Sequence, residues 1–245
     1  MKIGITGSSG FIGRNLTEEL KKRKDVQLFY FDLPKNNLLK QDSSLERFVS
    51  GKDIIIHAAA VNRGSDEEII EGNIVSTYNL LSVIKKISRK PKLLFLSSIQ
   101  AETNTVYGQC KRIVEIMLKD FADTYKMPII ALRIVNVFGE KCKPFYNSVV
   151  ATFCYQIANN KKVIIIDKNK IVNLIYIKNL VKSIVKEIFI VRERKFYLKK
   201  IYSGNIITIG KLANLIKSFD KIKNQNELKA KFYKDLYQTY LSYKK

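Results

Sequence analysis

The chain of 245 residues contains a single histidine, His57, so neither a histidine-based catalytic triad nor a histidine-rich metal centre can be assembled from it. Its three cysteines, Cys110, Cys142 and Cys154, show no metal-binding spacing and form no even set, so they read as free thiols of a reducing cytoplasm, and no metal is expected. No apolar run is long enough to span a bilayer, and strand-like residues 3–5 lead straight into a glycine loop where a signal peptide would need an apolar core. A cytoplasmic protein with no membrane attachment is the expectation. There is no internal repeat and no low-complexity linker.

Acidic residues are also scarce. Forty-four Lys and Arg against 22 Asp and Glu give a net charge of +22. Such an excess raises the question of a polyanion partner. The lysines are spread along the whole chain beside abundant Ile and Asn, as compositional drift would leave them. No basic block is interleaved with aromatics in a nucleic-acid-binding pattern. Nucleic acid is therefore not an expected partner, although the charge suits a small anionic ligand.

What is present is the patterning of an α/β protein, with 46% hydrophobic residues. Strand-like runs at 2–5, 26–31, 53–57, 92–97 and 128–134 alternate with helical patterns at 11–23, 66–87 and 107–125. Alternation of this kind predicts a parallel, doubly wound sheet with right-handed crossovers. Beyond Gly139 the pattern loosens into a helix at 147–158, short strands at 163–167 and 171–176, and a helix at 179–191. Thr208 is placed to cap a helix running to 219, and 227–241 forms a last charged, tyrosine-rich helix. The predicted layout is a Rossmann-like nucleotide-binding domain over 1–140, to which elements around 171–192 return, and a small C-terminal substrate-binding region over 141–245.

Gly7, Ser8, Ser9, Gly10, Phe11, Ile12 and Gly13 follow the first strand and open a helix, the context that a phosphate-cradling loop requires. Gly7 permits the tight turn, Gly10 lets a pyrophosphate approach backbone N–H groups, and Gly13 allows close helix packing. The spacing is G-x-x-G-x-x-G, one residue wider than the usual dinucleotide fingerprint. Asp32 closes the second strand about twenty residues on, where a carboxylate can accept hydrogen bonds from an adenosine ribose and repel a 2′-phosphate. It points to NAD, with Lys35 nearby as a counterweight and a simple turn aspartate before Pro34 as the competing role. Ala58, Ala59 and Ala60, after the third strand, are small enough for a flat cofactor to lie against. His57 is expected to pack and hydrogen-bond, not to act as a base.

Ser98, at the carboxyl tip of the fourth strand, is placed to bond a substrate oxygen, with Ser97 as the alternative if the register shifts by one. Tyr107 and Lys111, four apart, share one helix face. A phenol ionises near pH ~10, and a neighbouring ammonium favours its phenolate and brings it closer to use at neutral pH. Such a couple suits proton transfer at a carbonyl or carbinol as a hydride moves.

These residues together resemble the extended short-chain dehydrogenase/reductases. The motif TGSSGFIG from Thr6 to Gly13, HAAA from His57 to Ala60, Asn73, the Ser98, Tyr107 and Lys111 set, and RIVNVFG from Arg133 to Gly139 carry the resemblance. It implies Tyr107 as acid/base, Lys111 as the group that lowers its pKa and holds the nicotinamide ribose, and Ser98 as the residue orienting substrate. It adds Asn73 to the cofactor contacts and Asn136 to the substrate contacts. A narrower resemblance links residues 60–63, 97–101, 142–155 and 234–243 to the reductase domain of CapF-type capsular polysaccharide enzymes. Those enzymes reduce the 4-ketone of a UDP-linked 4-keto-6-deoxy-N-acetylhexose and carry a C-terminal cupin domain that epimerises C3. The implied ligands are a UDP-sugar and NAD(P)H, NADP by the family's habit. The implied assemblies are a homodimer and a separate cupin epimerase partner.

Three departures qualify the match. The sequence ends where the cupin would begin, so epimerisation is expected to sit elsewhere or to be missing. The second strand ends in Phe31, Asp32 and Leu33 where an NADP-type ending is basic. Lys178 and Asn179 stand where the family usually has two aspartates. Arg63, Lys143 and Asn147 are further expected substrate contacts, since cations and amides suit diphosphate and acyl-amide groups, against a plain role as exposed loop residues. A 4-epimerase would use the same triad. A 4,6-dehydratase would need an acid and base after Ser98, where Ile99 and Gln100 stand, with Glu102 as the nearest carboxylate. A cofactor-binding scaffold without chemistry is the non-enzymatic alternative.

Overall fold

The computed structural model describes residues 1–40, 42–191, 195–222 and 225–244. Five hydrophobic runs form strands β1 (Lys2–Thr6), β2 (Gln27–Phe31), β3 (Ile54–His57), β4 (Lys92–Ser98) and β5 (Ile129–Ile134). Four more follow: β6 (Asn136–Phe138), β7 (Ile171–Tyr176), β8 (Phe196–Ile201) and β9 (Ile206–Thr208). The helices are α1 (Phe11–Leu20), α2 (Ser43–Val49), α3 (Asp66–Ile70), α4 (Ser76–Lys86) and α5 (Val106–Tyr125), then α6 (Val149–Ala158), α7 (Ile177–Phe189), α8 (Ile209–Ser218) and α9 (Lys231–Leu241). None of the helices among the described residues is long and apolar enough to cross a membrane.

The chain divides into two compact units, residues 1–134 with 181–201, and residues 135–180 with 202–245. The division falls after Ile134. α7 leads back into the first unit and β8 joins its sheet, while β7 pairs with β6 and β9 in the second.

The first unit is a six-stranded sheet in the order β2-β1-β3-β4-β5-β8, with every pair parallel. It is the expected Rossmann-like α/β fold. Parallel strands covered on both faces need apolar side chains pointing both ways, and Ile54, Ile55 and Ile56 are all buried in succession. Strand order reverses between β1 and β3, which opens a crevice at their carboxyl ends, the usual ligand position in such sheets. Under one face Phe31, Phe48, Ile84, Phe95, Leu118 and Phe121 pack into a single core, each contributing roughly 1.5–3 kcal/mol by leaving water.

The helical run expected at 66–87 is interrupted. A capping box between Ser65 and Glu68 starts α3, and residues 71–75 then widen into a π turn before α4. The turn carries Asn73 at its centre, and Asn73 is 2% exposed. π turns of this kind are frequent at functional sites.

In the second unit β7 pairs in parallel with β6 and antiparallel with β9. Phe138 meets Phe232 edge-on at 5.9 Å, and buried Tyr240 donates its hydroxyl to Asp220. Thr208 caps α8 by accepting from the Lys211 N–H, as its position predicts. The strand expected at 163–167 does not form. Those residues are irregular, with Ile164 and Ile166 exposed, because β-branched propensity alone holds no strand that lacks a pairing partner. The three cysteines are buried free thiols.

Candidate active site

After β1 the chain turns at Gly7, whose φ of +73° favours glycine. A Cβ here would lie 2.5 Å from the Ala59 nitrogen, so the loop rests directly on the residues after β3. At Gly13 a Cβ would fall 2.0 Å from the Gly7 carbonyl oxygen, which fixes α1 against the loop. α1 begins at Gly10 with no side-chain cap and no acidic residue in its first turn. Its open N–H groups and positive dipole end form a seat for a phosphate. These residues fit the diphosphate of a dinucleotide.

Asp32 faces this loop and bonds Ser8 twice. One carboxylate oxygen accepts the Ser8 N–H at 2.8 Å and the other accepts the Ser8 hydroxyl. Asp32 therefore holds the loop in shape, and its negative charge lies beside it.

A hydrogen-bonded chain runs beneath the same crevice. Ala58 N–H donates to the Thr6 carbonyl, and Ala59 N–H reaches the Thr6 hydroxyl at 3.4 Å. Thr6 Oγ1 lies 2.7 Å from His57 Nδ1, and His57 Nε2 lies 3.0 Å from Thr77 Oγ1. Thr77 gives its own proton to the Asn73 carbonyl at 2.6 Å, so its oxygen must accept from His57. His57 is thus the neutral Nε2–H tautomer, and Thr6 donates to Nδ1. Burial, with the Lys111 charge second, lowers the His57 pKa to about 3. The expected packing role fits this placement. Asn73 spends its amide hydrogens on the Val61 and Ile69 carbonyls at 2.6 and 2.8 Å, while its buried Oδ1 has no partner among the described residues. Ala60 and Arg63 are exposed on the stretch that follows.

At the tip of β4 the two serines part company. Ser97 is buried and donates to Glu115 Oε1 at 2.5 Å. Ser98 is half-buried and accepts the Gln100 N–H at 3.1 Å, and its own hydroxyl proton has no acceptor among the described residues. The register leaves Ser98, not Ser97, available to a ligand. A 3-10 turn over Ile99–Glu102 then leads towards α5, which Thr105 caps through the Gly108 N–H. Gly108 lets the two approach, since a Cβ there would meet the Gln100 carbonyl oxygen at 2.2 Å.

α5 carries Tyr107 in its first turn and Lys111 one turn later. The Lys111 Nζ lies 5.5 Å from the centre of the Tyr107 ring, 4.7 Å from that of Phe95, and 3.4 Å from the Leu96 carbonyl oxygen. The side chain is only 1% exposed. Desolvation lowers its pKa to about 7, opposed by the nearby Glu115 charge. Tyr107 is half-buried. A proton-bearing phenol beside an ammonium of adjustable charge can move one proton to or from a bound oxygen.

Two residues escaped sequence reasoning. Glu115, 5% exposed and one turn beyond Lys111, receives Arg133 Nε at 2.9 Å and Nη2 at 2.5 Å besides Ser97. Arg133 uses Nη1 to reach Glu102 Oε1 at 2.8 Å, and Lys200 pairs with the same carboxylate. An arginine inside the apolar strand at 129–134 was the available signal, because a charge there requires a buried partner.

Asn136, Lys143 and Asn147 belong to the second unit and are exposed there. Asn136 donates to the Asn173 carbonyl at 3.2 Å, Lys143 lies 5.4 Å from the Tyr146 ring centre, and Asn147 immediately precedes Ser148, which caps α6. Lys178, one of the two residues replacing aspartates, pairs with Glu140 at 3.0 Å, and Glu140 also accepts the Tyr176 hydroxyl.

A family model described as the NAD dependent epimerase/dehydratase family matches residues 3–188. UDP-2-acetamido-2,6-beta-L-arabino-hexul-4-ose reductase of Pseudomonas aeruginosa is 35% identical over 187 residues, covering 76% of this chain and 49% of that protein. The crystal structure of the capsular polysaccharide assembling protein CapF from Staphylococcus aureus superposes with a TM-score of 0.80 at 32% identity, covering 100% of this chain and 65% of that one. A UDP-glucose 4-epimerase of Thermotoga maritima solved with UDP-glucose gives a TM-score of 0.85 at 19% identity, a likeness of fold. The chain spans about half the length of the curated reductase that it matches.

Proposed function

The chain belongs to the NAD dependent epimerase/dehydratase family, and from that premise we propose that it is a nicotinamide-dependent reductase of a nucleotide-linked, UDP-type 4-keto-6-deoxy-N-acetylhexose. The observation that carries the proposal is the buried Lys111 ammonium beside the Tyr107 ring, with Ser98, whose oxygen accepts the Gln100 N–H, keeping its hydroxyl proton for a ligand at the tip of β4. Similarity to a protein named as a hexulose reductase supports the same chemistry.

A nicotinamide cofactor bound to the glycine loop supplies the hydride. Ser98 donates to the substrate carbonyl oxygen and holds it as negative charge develops there. Tyr107 passes its phenolic proton to that oxygen, completing the alcohol. Lys111 stabilises the phenolate left behind, and its position against Leu96 and Phe95 keeps the charge close to the ring. Ala58 and Ala59 leave room for a flat ring at the β3 end, and the loop and α1 bind the diphosphate. We assign NADH as the preferred cofactor, because the Asp32 charge beside the loop would repel a 2′-phosphate. Arg63, Asn136, Lys143 and Asn147 are assigned to the sugar nucleotide by chemistry, as donors suited to diphosphate and amide groups.

Dehydration is disfavoured. The residues after Ser98 are Ile99 and Gln100, and Glu102 is tied to Lys200 and, to a smaller degree, Arg133, which hold its carboxyl below the ordinary range. A 4-epimerase is the second reading, since it would use the same Ser98, Tyr107 and Lys111 set, and one relative at 25% identity is named a probable UDP-glucuronate 4-epimerase. Oxidation of NADH and NADPH followed with a UDP-4-keto-6-deoxy sugar separates the two. Stoichiometric cofactor consumption supports the reductase; tightly retained NAD with none consumed supports the epimerase.

A further inference from the structure

Arg133 lies on β5 directly opposite Ser97 of β4, and it joins the segment that begins at Ser98 to the helix that carries Tyr107 and Lys111. Its Nη1 reaches Glu102, the last residue of the turn that begins at Ser98. Its Nε and Nη2 grip both oxygens of Glu115 on α5, one turn beyond Lys111. The Arg133 side chain is only 15% exposed and that of Glu115 6%, so this arm is shielded from solvent, while Glu102 at 38% lies at the surface. A planar guanidinium can hold two carboxylates in fixed relative positions, which a lysine cannot. Gly108 of α5 packs against the Gln100 carbonyl of the same turn, with no room for a methyl group. We propose that Arg133 is a positioning residue that clamps the Ser98 turn to the Tyr107–Lys111 helix, with Glu102 and Glu115 as the two jaws.

The proposal deepens the reductase assignment and rests on it. The two jaws differ in what they control. Glu115 raises the pKa of Lys111, whereas Glu102 is not among the groups that shift it. Loss of the Glu102 jaw therefore frees the serine turn without changing the charge on Lys111. Loss of Glu115 does both. Arg133→Lys keeps the positive charge but cannot span both carboxylates.

Glu102→Gln and Arg133→Lys should each lower kcat about tenfold, with cofactor affinity and the pH profile kept. Glu115→Gln should also move the alkaline limb of the profile to lower pH. The decisive comparison is a double-mutant cycle with Ser98→Ala. If Glu102 works through Ser98, then Glu102→Gln costs nothing further once Ser98 is alanine. Full additivity, or kcat unchanged in Glu102→Gln, overturns the clamp. Hydrogen exchange separates this outcome from a failure of the reductase assignment. Glu102→Gln should speed exchange at the Gln100 and Thr103 amides, which close the turn, and leave β3 unchanged. Unchanged exchange at those two amides contradicts the clamp whatever the protein catalyses, and absence of turnover in the unmutated protein contradicts only the reductase.

Discussion

Lys111 extends its Nζ to 5.5 Å from the centre of the Tyr107 ring while almost wholly removed from water. The pair joins two opposing demands. Chemistry at the phenol asks for a charged ammonium, and burial works against that charge. Glu115 tips the balance partly back, leaving a lysine that changes charge near pH 7, at about 7 against its ordinary 10.5.

The pH dependence of activity follows from that balance. In the cofactor-free enzyme Lys111 is protonated below its folded pKa and loses its charge as pH rises through about 7. The rate kcat/KM should fall on the alkaline side of that value, since it reports groups of the free enzyme. A profile flat from pH 6 to 9 would contradict it.

Stability should move the other way. A lysine whose folded pKa lies below its unfolded value makes the folded state bind fewer protons between the two values, so stability rises with pH from about 7 to 10.5. Lys111→Met should therefore abolish activity yet gain about 1–2 kcal/mol in urea unfolding at neutral pH. The gain should shrink towards pH 10, where the unfolded lysine also loses its proton.

His57 gives a direct spectroscopic test, because it is the only histidine. Imidazole nitrogen NMR should show one ring with a protonated Nε2 and a bare Nδ1, unchanged from pH 5 to 8. A titrating ring, or the opposite tautomer, would break the Thr6–His57–Thr77 chain described above.

Gly108→Ala should cost about 1–3 kcal/mol, the usual range for overpacking, and reduce kcat. Its new methyl would meet the Gln100 carbonyl at 2.2 Å and Thr103 Oγ1 at 2.6 Å. Thermal unfolding and steady-state kinetics of the same variant check both effects.

Much of this was legible in the sequence. β1 and β3 to β5 stand out as apolar runs because parallel strands buried on both faces demand them, β2 at the sheet edge shows instead by its aromatic run, and the glycine loop follows from its place after β1. β8 was hidden. Phe196–Ile201 carries Lys199, paired with the buried Glu187, and the exposed Lys200, so it shows no apolar run, and it pairs with β5 residues 67 positions earlier. β6 and β9, three residues each, are too short for any period to show. The run at 163–167 misled in the opposite direction, with strand composition and no ladder. Within the site, Tyr107 and Lys111 could be paired from helical spacing alone. The choice between Ser97 and Ser98 could not, because it turns on Glu115 capturing Ser97 across the fold. Arg133 and its two jaws come from three separate elements, and only the folded chain brings them into one network.

The most direct test of the central claim uses NADH deuterated at the transferable position of its nicotinamide, with a UDP-4-keto-6-deoxy-N-acetylhexose as substrate. The account predicts one deuterium at C4 of the product per NADH consumed, and a rate reduced about 10²–10⁴-fold in Tyr107→Phe. No deuterium in the sugar and no net loss of NADH, in protein that still binds the cofactor, would contradict it.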